Sequence, residues 1–595
     1  MDTVYYLIGL PIAFGLLCLL FSDRFRNLIW SIAFIMCSIL FVAFIFFFSN
    51  IPVLPSGIFI WDGLTNLALL GTGFFGLVIC FYSKRMVDNY FGRYYGYLLI
   101  TLGASTGAVL SNNLILMAVF WGILAITLYL MINLGGPEAS YPAKKTLIIV
   151  GGSDSFLVLG IAMLWVLTGS FNITEMNVQI DRWFSAAAFL CLVCASFAKA
   201  GAMPFHTWIP EISESAPVSV MAFFPASLDK LLGIYLFSRI CLNIFSYHES
   251  MWFLLRLLGS ITIVGAVFLA LVQHNMKRLL AYHAVSQVGY MVVGIASGNP
   301  VGIAGGLFHM INNAIYKCCL FLGAGSIEKQ AGSTELDNLG GLGKNLPLTF
   351  LSFLFASFAI SGIPPFNGFF SKWMIYQGLV EGYRNGDQSW ILWIIMAMIG
   401  SGLTLASFMK IIHATFLGHT DETIRKKGIS EPHWTALLPL ILLAFLCLFF
   451  GMFYASVPLE RFIFPVIKIT GTTNVFSLIL PLIFIICGIT FGILLYPILV
   501  LGKIRRVPSF IGGERPVDNM RITGTEFYNL IKIMPFLRKV YDASEKRFTD
   551  IYDVLKSLVA YFTEALRVIH TGILGTYLTW MLFGTLILFY IFIKW

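Results

Sequence analysis

The sequence predicts an all-α polytopic membrane protein, and its composition and patterning both point that way. Charged residues make up only 11% of the 595 residues, while AVILMFWYC residues make up 58%. A soluble domain carries about 25% charged residues, so a soluble surface of this size could not be covered. The apolar residues also fall into runs of about 20, the length that crosses a hydrocarbon layer, and about sixteen such runs are present. Mean hydropathy is +0.86. The formal charge of +9, from 38 Lys+Arg and 29 Asp+Glu, sits in short loops and forms no basic, aromatic-lined patch. That excludes a nucleic-acid groove.

In chain order the expected spans are 3–21, 27–49, 62–82, 94–110, 113–134, 144–168, 182–200, 216–241, 252–272, 278–297, 303–325, 347–379, 390–416, 434–454, 473–500 and 571–593. The first run lacks a basic leader and an A-x-A site, so it reads as a retained span rather than a cleaved signal. Lys and Arg set the orientation. Arg24 and Arg26 follow span 1, Lys84, Arg85 and Arg93 follow span 3, and Lys144 and Lys145 follow span 5. Lys277 and Arg278 follow span 9, Lys329 and Lys344 span 11, and Arg425, Lys426 and Lys427 span 13. Loops 50–61, 111–112 and 298–302, after even spans, contain none. Loops after odd spans are therefore expected in the cytoplasm, with both termini outside.

The ten cysteines are scattered. Cys191 and Cys194 form a C-x-x-C, but within the apolar run AAAFLCLVCASF. They read as small apolar residues, as do Cys318 and Cys319, since a redox or metal site needs access and a second pair.

Two spans look interrupted. Span 7 runs into Gly201-Ala202-Met203-Pro204, and span 12 holds Gly362-Ile363-Pro364-Pro365 followed by Asn367-Gly368. Lys199 and Lys372 lie beside these breaks. Paired interruptions suggest inverted repeats with an ion site at the breaks; two unrelated proline kinks are the plainer reading. Beyond the polar stretch 502–540, residues 543–569 read as one amphipathic helix. Phe548, Ile551, Tyr552, Leu555, Leu558, Val559, Phe562, Leu566 and Ile569 share a face. Twenty-seven residues would reach roughly 40 Å, enough to brace neighbouring helices or to anchor at the interface.

An ionisable side chain within a span is costly and a functional candidate by default. Asp154 falls in span 6, Lys199 in span 7, Asp229 and Lys230 in span 8, His283 in span 10, His309 and Lys317 in span 11, Lys372 in span 12, and Lys410 and His413 in span 13. A lysine shuttled between a dry site and a nearby carboxylate would bind and release protons. His309, Asn313 and Lys317 follow i, i+4, i+8 spacing, so they line one helix face over roughly 12 Å. A wet path or a hydrogen-bonded packing face would each use such a stripe. Asp229 and Lys230 point about 100° apart and need not pair with each other. Lys410 reads equally as functional or as snorkelling to the interface.

Several runs, taken together, resemble a known family. AKAGAMPFHTWIPEISESAPVSVMAFFPASLDKLLGIYLFSR (198–239), MKRLLAYHAVSQVGYM (276–291), GGLFHMINNAIYKCCLFLGAGSI (305–327) and SGIPPFNGFFSKW (361–373) resemble spans 7–8, 10, 11 and 12 of antiporter-like membrane subunits. Such subunits occur in complex I, in Mrp-type cation/proton antiporters and in group 4 membrane-bound hydrogenases. The amphipathic helix plus a final span resembles the complex I L-type subunit, while PASLDKLLGIYL and the GGE…GTEFYN…FTDIYD tail look more like the hydrogenase relatives.

The resemblance implies two inverted five-helix repeats, spans 4–8 and 9–13, with broken spans 7 and 12 and a lateral C-terminal helix on the cytoplasmic side. The segments are then 1–93 (flanking helices), 94–241 (first repeat), 242–416 (second repeat), 417–540 (flanking helices and a polar cytoplasmic segment) and 541–595 (lateral helix and final anchor). It implies a proton relay of Lys199, Lys230, His309, Lys317 and Lys372, tuned by Asp154 and Asp229, with His206, His283, Asn313, Lys410 and His413 as accessory candidates. The implied function is translocation of protons, or of Na⁺, in the cell membrane by a non-catalytic subunit of a redox-driven complex. An Mrp-type Na⁺/H⁺ antiporter without redox partners is the alternative. No metal or cofactor is expected in this chain; Fe–S clusters, and Ni–Fe, belong to peripheral redox subunits. Further antiporter-like subunits and lipid complete the expected partners. One position departs from the family: the glutamate that usually follows the span 5 tryptophan is Gly122 in AVFWGILAITLYL. Asp154 or Asp229 could replace that carboxylate, or the chain could be a bracing arm with weakened pumping.

Overall fold

The computed structural model describes residues 2–52, 57–384, 388–418, 428–467, 534–545, 550–570 and 572–594, together with isolated positions between 487 and 531. They form two compact units, Met1–Met534 and Pro535–Trp595.

The first unit is helical throughout its described spans. Its helices are α1 (Asp2–Leu20), α2 (Arg26–Ser49), α3 (Gly63–Ser83), α4 (Phe91–Leu110), α5 (Leu114–Asn133) and α6 (Pro137–Thr168). Then come α7 (Trp183–Ala200), α8 (Val218–Ile244), α9 (Glu249–Leu271), α10 (Met276–Ile295) and α11 (Pro300–Ala331). The series ends with α12 (Pro347–Ser361), α13 (Asn367–Arg384), α14 (Trp390–Leu417) and α15 (Trp434–Met452). Helix starts follow the side chains available. Asp62, Asn113, Asn275 and Asn299 each accept a first-turn backbone N–H of α3, α5, α10 and α11, the usual N-cap solution for donors without an intrahelical partner. Pro300 then starts α11, where a missing N–H costs nothing.

The spans expected from hydropathy coincide with these helices to within a few residues, and span 12 is divided into α12 and α13. The expected span 473–500 and the segment 502–540 lie almost entirely outside the described residues. Eleven of the described helices are long and apolar enough to cross a membrane. Helices α10 and α11 are not among them, although α10 is buried along nearly its whole length. Their polar side chains lower the hydropathy, and the neighbouring helices rather than lipid cover them.

In the second unit the expected single helix 543–569 is two helices, α16 (Pro535–Glu545) and α17 (Ile551–Ile569). Asp550 is extended and accepts the Tyr552 N–H, so it starts a new helix rather than continuing an old one. The amphipathic stripe is on α17, which at 19 residues is about 28 Å long, not 40 Å. Helix α18 (Leu574–Lys594) follows.

Candidate functional site

Both interruptions expose the C-terminal carbonyls of a helix inside the bundle. Helix α7 stops at Gly201, whose φ of 77° lies in the left-handed region, and the chain re-forms a short helix at Trp208–Ile212. A Cβ at Gly201 would lie 2.1 Å from Ile209 Cδ1 and 3.2 Å from Lys230 Nζ. Only glycine combines that backbone with that clearance. Helix α12 stops the same way at Gly362, with φ 80°, against the Lys372 side chain.

A lysine from a neighbouring segment occupies each set of freed carbonyls. Lys230 Nζ donates to Ala200 O, and Trp208 Nε1 takes Ala198 O at 3.0 Å. Lys372 Nζ donates to Ile360 O at 2.8 Å and to Ser401 Oγ at 3.1 Å. The C-terminus of a helix carries about half a negative charge, so each broken end is a seat for an ammonium. The lysine seated on the first break is Lys230, although Lys199 is the one beside it in sequence.

Lys199 instead faces Asp229, with Nζ 3.4 Å from Oδ1 and neither side chain exposed. A wide, π-helical turn at Phe224–Leu228 precedes Asp229. Pro225 there has no N–H to donate, and Ser227 Oγ instead reaches back to Ala222 O and Phe223 O at 2.7 and 2.9 Å. Such an expansion re-aims the residues after it. Gly233 lets α8 approach α7, since a Cβ there would lie 2.6 Å from Ala200 N. The Lys199 ammonium also stands 5.6 Å from the Trp121 ring. Gly122, beside that tryptophan, offers no carboxylate and has open space around its missing Cβ. Of the two carboxylates that could replace it, Asp229 makes the ion pair. Asp154, half-buried on α6, lies within the field of Lys199.

The second half carries the rest of the row. Lys317 is buried and donates to Leu280 O at 2.9 Å, and its charge and that of Lys230 act on each other. His283 shares a hydrogen bond with Ser407 Oγ at 2.8 Å. The Phe408 ring lies 4.9 Å from the His283 ring and 5.6 Å from Lys317 Nζ. His309 Nδ1 meets Ser371 Oγ at 2.9 Å and its Nε2 meets Gln287 Oε1 at 3.1 Å, which links α10, α11 and α13. Lys372 Nζ lies 4.8 Å from the Tyr290 ring, and its charge reaches both His309 and His283. Asn313 Nδ2 makes a long 3.5 Å contact to Ala226 O. Its Oδ1, like Gln287 Nε2 and Asn312 Oδ1, is buried without a protein hydrogen bond.

The accessory candidates separate. Lys410 is buried and donates to Leu271 O and Gln273 O at 2.7 and 2.8 Å, so it closes the end of α9 and does not snorkel. His206 is buried in the segment between α7 and the short helix. His413 is exposed and stands outside the row. Sequence reasoning missed Gln287, Tyr316, Ser371, Ser401 and Ser407. Gln287 alone carried a signal, lying one turn after His283 on the same helix face.

A many-helix bundle with two broken spans and a buried row of lysines defines the class of antiporter-like membrane subunits. The family model described as NADH:quinone oxidoreductase/Mrp antiporter, TM, matches residues 111–404, and the chain belongs to that family. An uncharacterized protein of Methanocaldococcus jannaschii is 35% identical over 60% of this chain and 73% of its own length. A Na⁺/H⁺ antiporter subunit of Bacillus subtilis is 31% identical over 61% of this chain, and a putative antiporter subunit of Staphylococcus haemolyticus is 30% identical over 73%. The matches cover 48% and 59% of those two relatives, so the chain spans about half their length. The fold recurs in solved complexes. A chain of the membrane-bound sulfane sulfur reductase, an archaeal respiratory membrane complex, superposes with a TM-score of 0.79 at 20% identity, covering 98% of this chain and 99% of that one. A chain of the Mrp complex from Dietzia gives 0.70 at 22% identity, covering 77% of this chain and 95% of that one. A chain of respiratory complex I from Thermus thermophilus gives 0.64 at 20%, covering 77% and 98%.

Proposed function

We propose that the chain conducts protons through the membrane along Asp154, Lys199, Asp229, Lys230, Lys317, His309 and Lys372, as the ion-translocating subunit of a redox-driven assembly. The observation that carries this is the seating of the lysines. Each ammonium rests on one or two displaceable partners: a carboxylate for Lys199, and main-chain carbonyls for Lys230, Lys317 and Lys372. Burial disfavours a charged amine, so a lysine on a displaceable seat can pass a proton to the next base in the row. The amide atoms left without a protein hydrogen bond, Asn312 Oδ1, Asn313 Oδ1 and Gln287 Nε2, are suited to hold water between the titrating groups. Protons suit the row better than Na⁺, which calls for a cluster of oxygen ligands that lysines cannot supply.

In this reading the energy comes from partner subunits carrying Fe–S clusters, and Ni–Fe in the hydrogenase-type case, with both termini outside and the lateral helix on the cytoplasmic face. Its support is the near full-length likeness in fold to a respiratory-complex chain. The second reading, a component of a Na⁺/H⁺ antiporter without redox partners, is favoured by the curated sequence relatives.

Two measurements on the complex purified from native membranes test these statements. Metal analysis with subunit identification separates the readings: iron with redox subunits supports the first, and a metal-free set of membrane subunits overturns it in favour of the second. Lys317→Met, near in length and uncharged, is expected to leave assembly intact and abolish proton transport. Transport at the unsubstituted rate would remove Lys317 from the path.

A further inference from the structure

A second site lies at the end of the bundle where the loops are rich in Lys and Arg. A cavity of about 710 Å³ opens there among the start of α2, the α3–α4 connection, the end of α11 and the start of α15. That volume is within the range of about 300–1,000 Å³ typical of small-ligand sites. Arg26, Lys84, Arg85 and Lys329 line it, with Asp88 as the only carboxylate among the lining residues.

Two of these cations build the wall. Arg26 donates to Val87 O and Asp88 O at 3.0 and 3.2 Å, and its guanidinium lies 4.8 Å over the Phe91 ring. Lys329 donates to Arg85 O and pairs with Asp88 at 3.4 Å, which uses the carboxylate. Lys84 and Arg85 are left. Lys84 Nζ stands 3.5 Å over the Trp30 ring. No hydrogen bond or ion pair among the described residues takes up the Arg85 guanidinium. Two cations with spare donors in one concave wall are a seat for a phosphate group.

What adjoins them is apolar and membrane-facing. Trp30 stacks on Phe34 at 5.0 Å, Phe34 meets Phe81 at 5.9 Å, and Phe81 meets Trp434 at 5.3 Å. This aromatic seam leads from the cations to α15. There Trp434, Leu438, Ile441 and Phe445 form an exposed stripe at i, i+4, i+7, i+11. A soluble anion has no use for such a stripe, but an acyl chain lies along it. Tryptophans mark the depth where headgroups sit, and basic pockets between spanning helices take anionic headgroups.

We infer that this cavity binds one anionic phospholipid, its phosphate on Lys84 and Arg85 and its acyl chains along the α15 stripe. The test uses the intact complex, stripped of lipid and titrated with phosphatidylglycerol or phosphatidylcholine in mixed micelles, with bound lipid counted by native mass spectrometry. At least one phosphatidylglycerol is expected to bind in preference to phosphatidylcholine and to resist millimolar inorganic phosphate. The Lys84→Gln, Arg85→Gln variant is expected to bind it at least tenfold more weakly. The charge-conserving Lys84→Arg, Arg85→Lys variant should retain it and serves as the control if the neutral variant assembles poorly. Equal binding of the two lipids, full retention by the neutral variant, or displacement by phosphate would each overturn the inference. So would a cross-link from Lys84 to a neighbouring protein of the complex that excludes lipid.

Discussion

Replacing Asp229 by asparagine keeps the shape of the side chain and removes its charge from the Lys199 pair. At 3.4 Å and an effective dielectric constant of about 20, the attraction is about 5 kcal/mol. The amide oxygen remains an acceptor within reach of the ammonium, and a hydrogen bond formed there would return about 1 kcal/mol. The net loss of about 4 kcal/mol agrees with the ~3–5 kcal/mol seen when one partner of a buried pair is removed. A free energy of that size corresponds to about three powers of ten in an equilibrium constant. The assay is proton uptake by the complex reconstituted in vesicles, read with a pH-sensitive dye under an imposed potential. Asp229→Asn is expected to slow uptake at least tenfold near neutral pH. Lys199→Gln should do similar damage, and the double variant should be no slower than Lys199→Gln alone, because both substitutions break one interaction. Uptake at the original rate in Asp229→Asn, or losses that multiply in the double variant, would refute the assignment of Asp229 as the counter-charge.

Two further substitutions test the frame that holds the row. Gly201→Ala forces a Cβ into the left-handed region at a cost of about 1–2 kcal/mol and sets it 2.1 Å from Ile209 Cδ1; a lower melting temperature of the complex is expected, and an unchanged one would show that the α7 end can re-form around a side chain. At the opposite end from the lipid cavity, Arg239 binds Asp62 through two hydrogen bonds of 2.6 and 2.7 Å. Burial raises the Asp62 carboxyl, but Arg239 outweighs it and holds the group below the ordinary carboxylate range. The pair's contribution to stability is therefore complete above about pH 4 and is lost as pH falls through the lowered native value. Asp62→Asn should destabilise the complex at neutral pH and flatten its loss of stability in acid; equal acid sensitivity with and without Asp62 would contradict this.

Much of the frame was legible because hydropathy and breaking residues act locally. The helix positions, the two interruptions and every residue of the proposed relay stand out from polarity in an apolar context. Pairing was not legible. Asp229 and Lys230 are neighbours in sequence, and one-dimensional reasoning says only that they diverge. That Asp229 turns to Lys199 and Lys230 to the Ala200 carbonyl depends on the wide turn at Pro225 and on the close approach at Gly233. Lys410 misled for a related reason: its partners are main-chain oxygens of α9, which no residue type announces. The amphipathic stripe at 543–569 was read as one helix because Asp550 fits a polar face as well as it fits an N-cap.

The seating of three lysines on main-chain oxygens has an evolutionary side. A carboxylate counter-ion disappears with a single codon change. The carbonyls of Ala200, Leu280 and Ile360 cannot be mutated away, because every amino acid supplies one. Substitution at those three positions leaves the oxygens of the proposed path in place, at Ala200 and Ile360 for as long as Gly201 and Gly362 keep α7 and α12 ending where they do. The seats therefore depend on backbone shape more than on side-chain chemistry, and a substitution that moves a helix end threatens them more than one that changes the residue bearing the carbonyl.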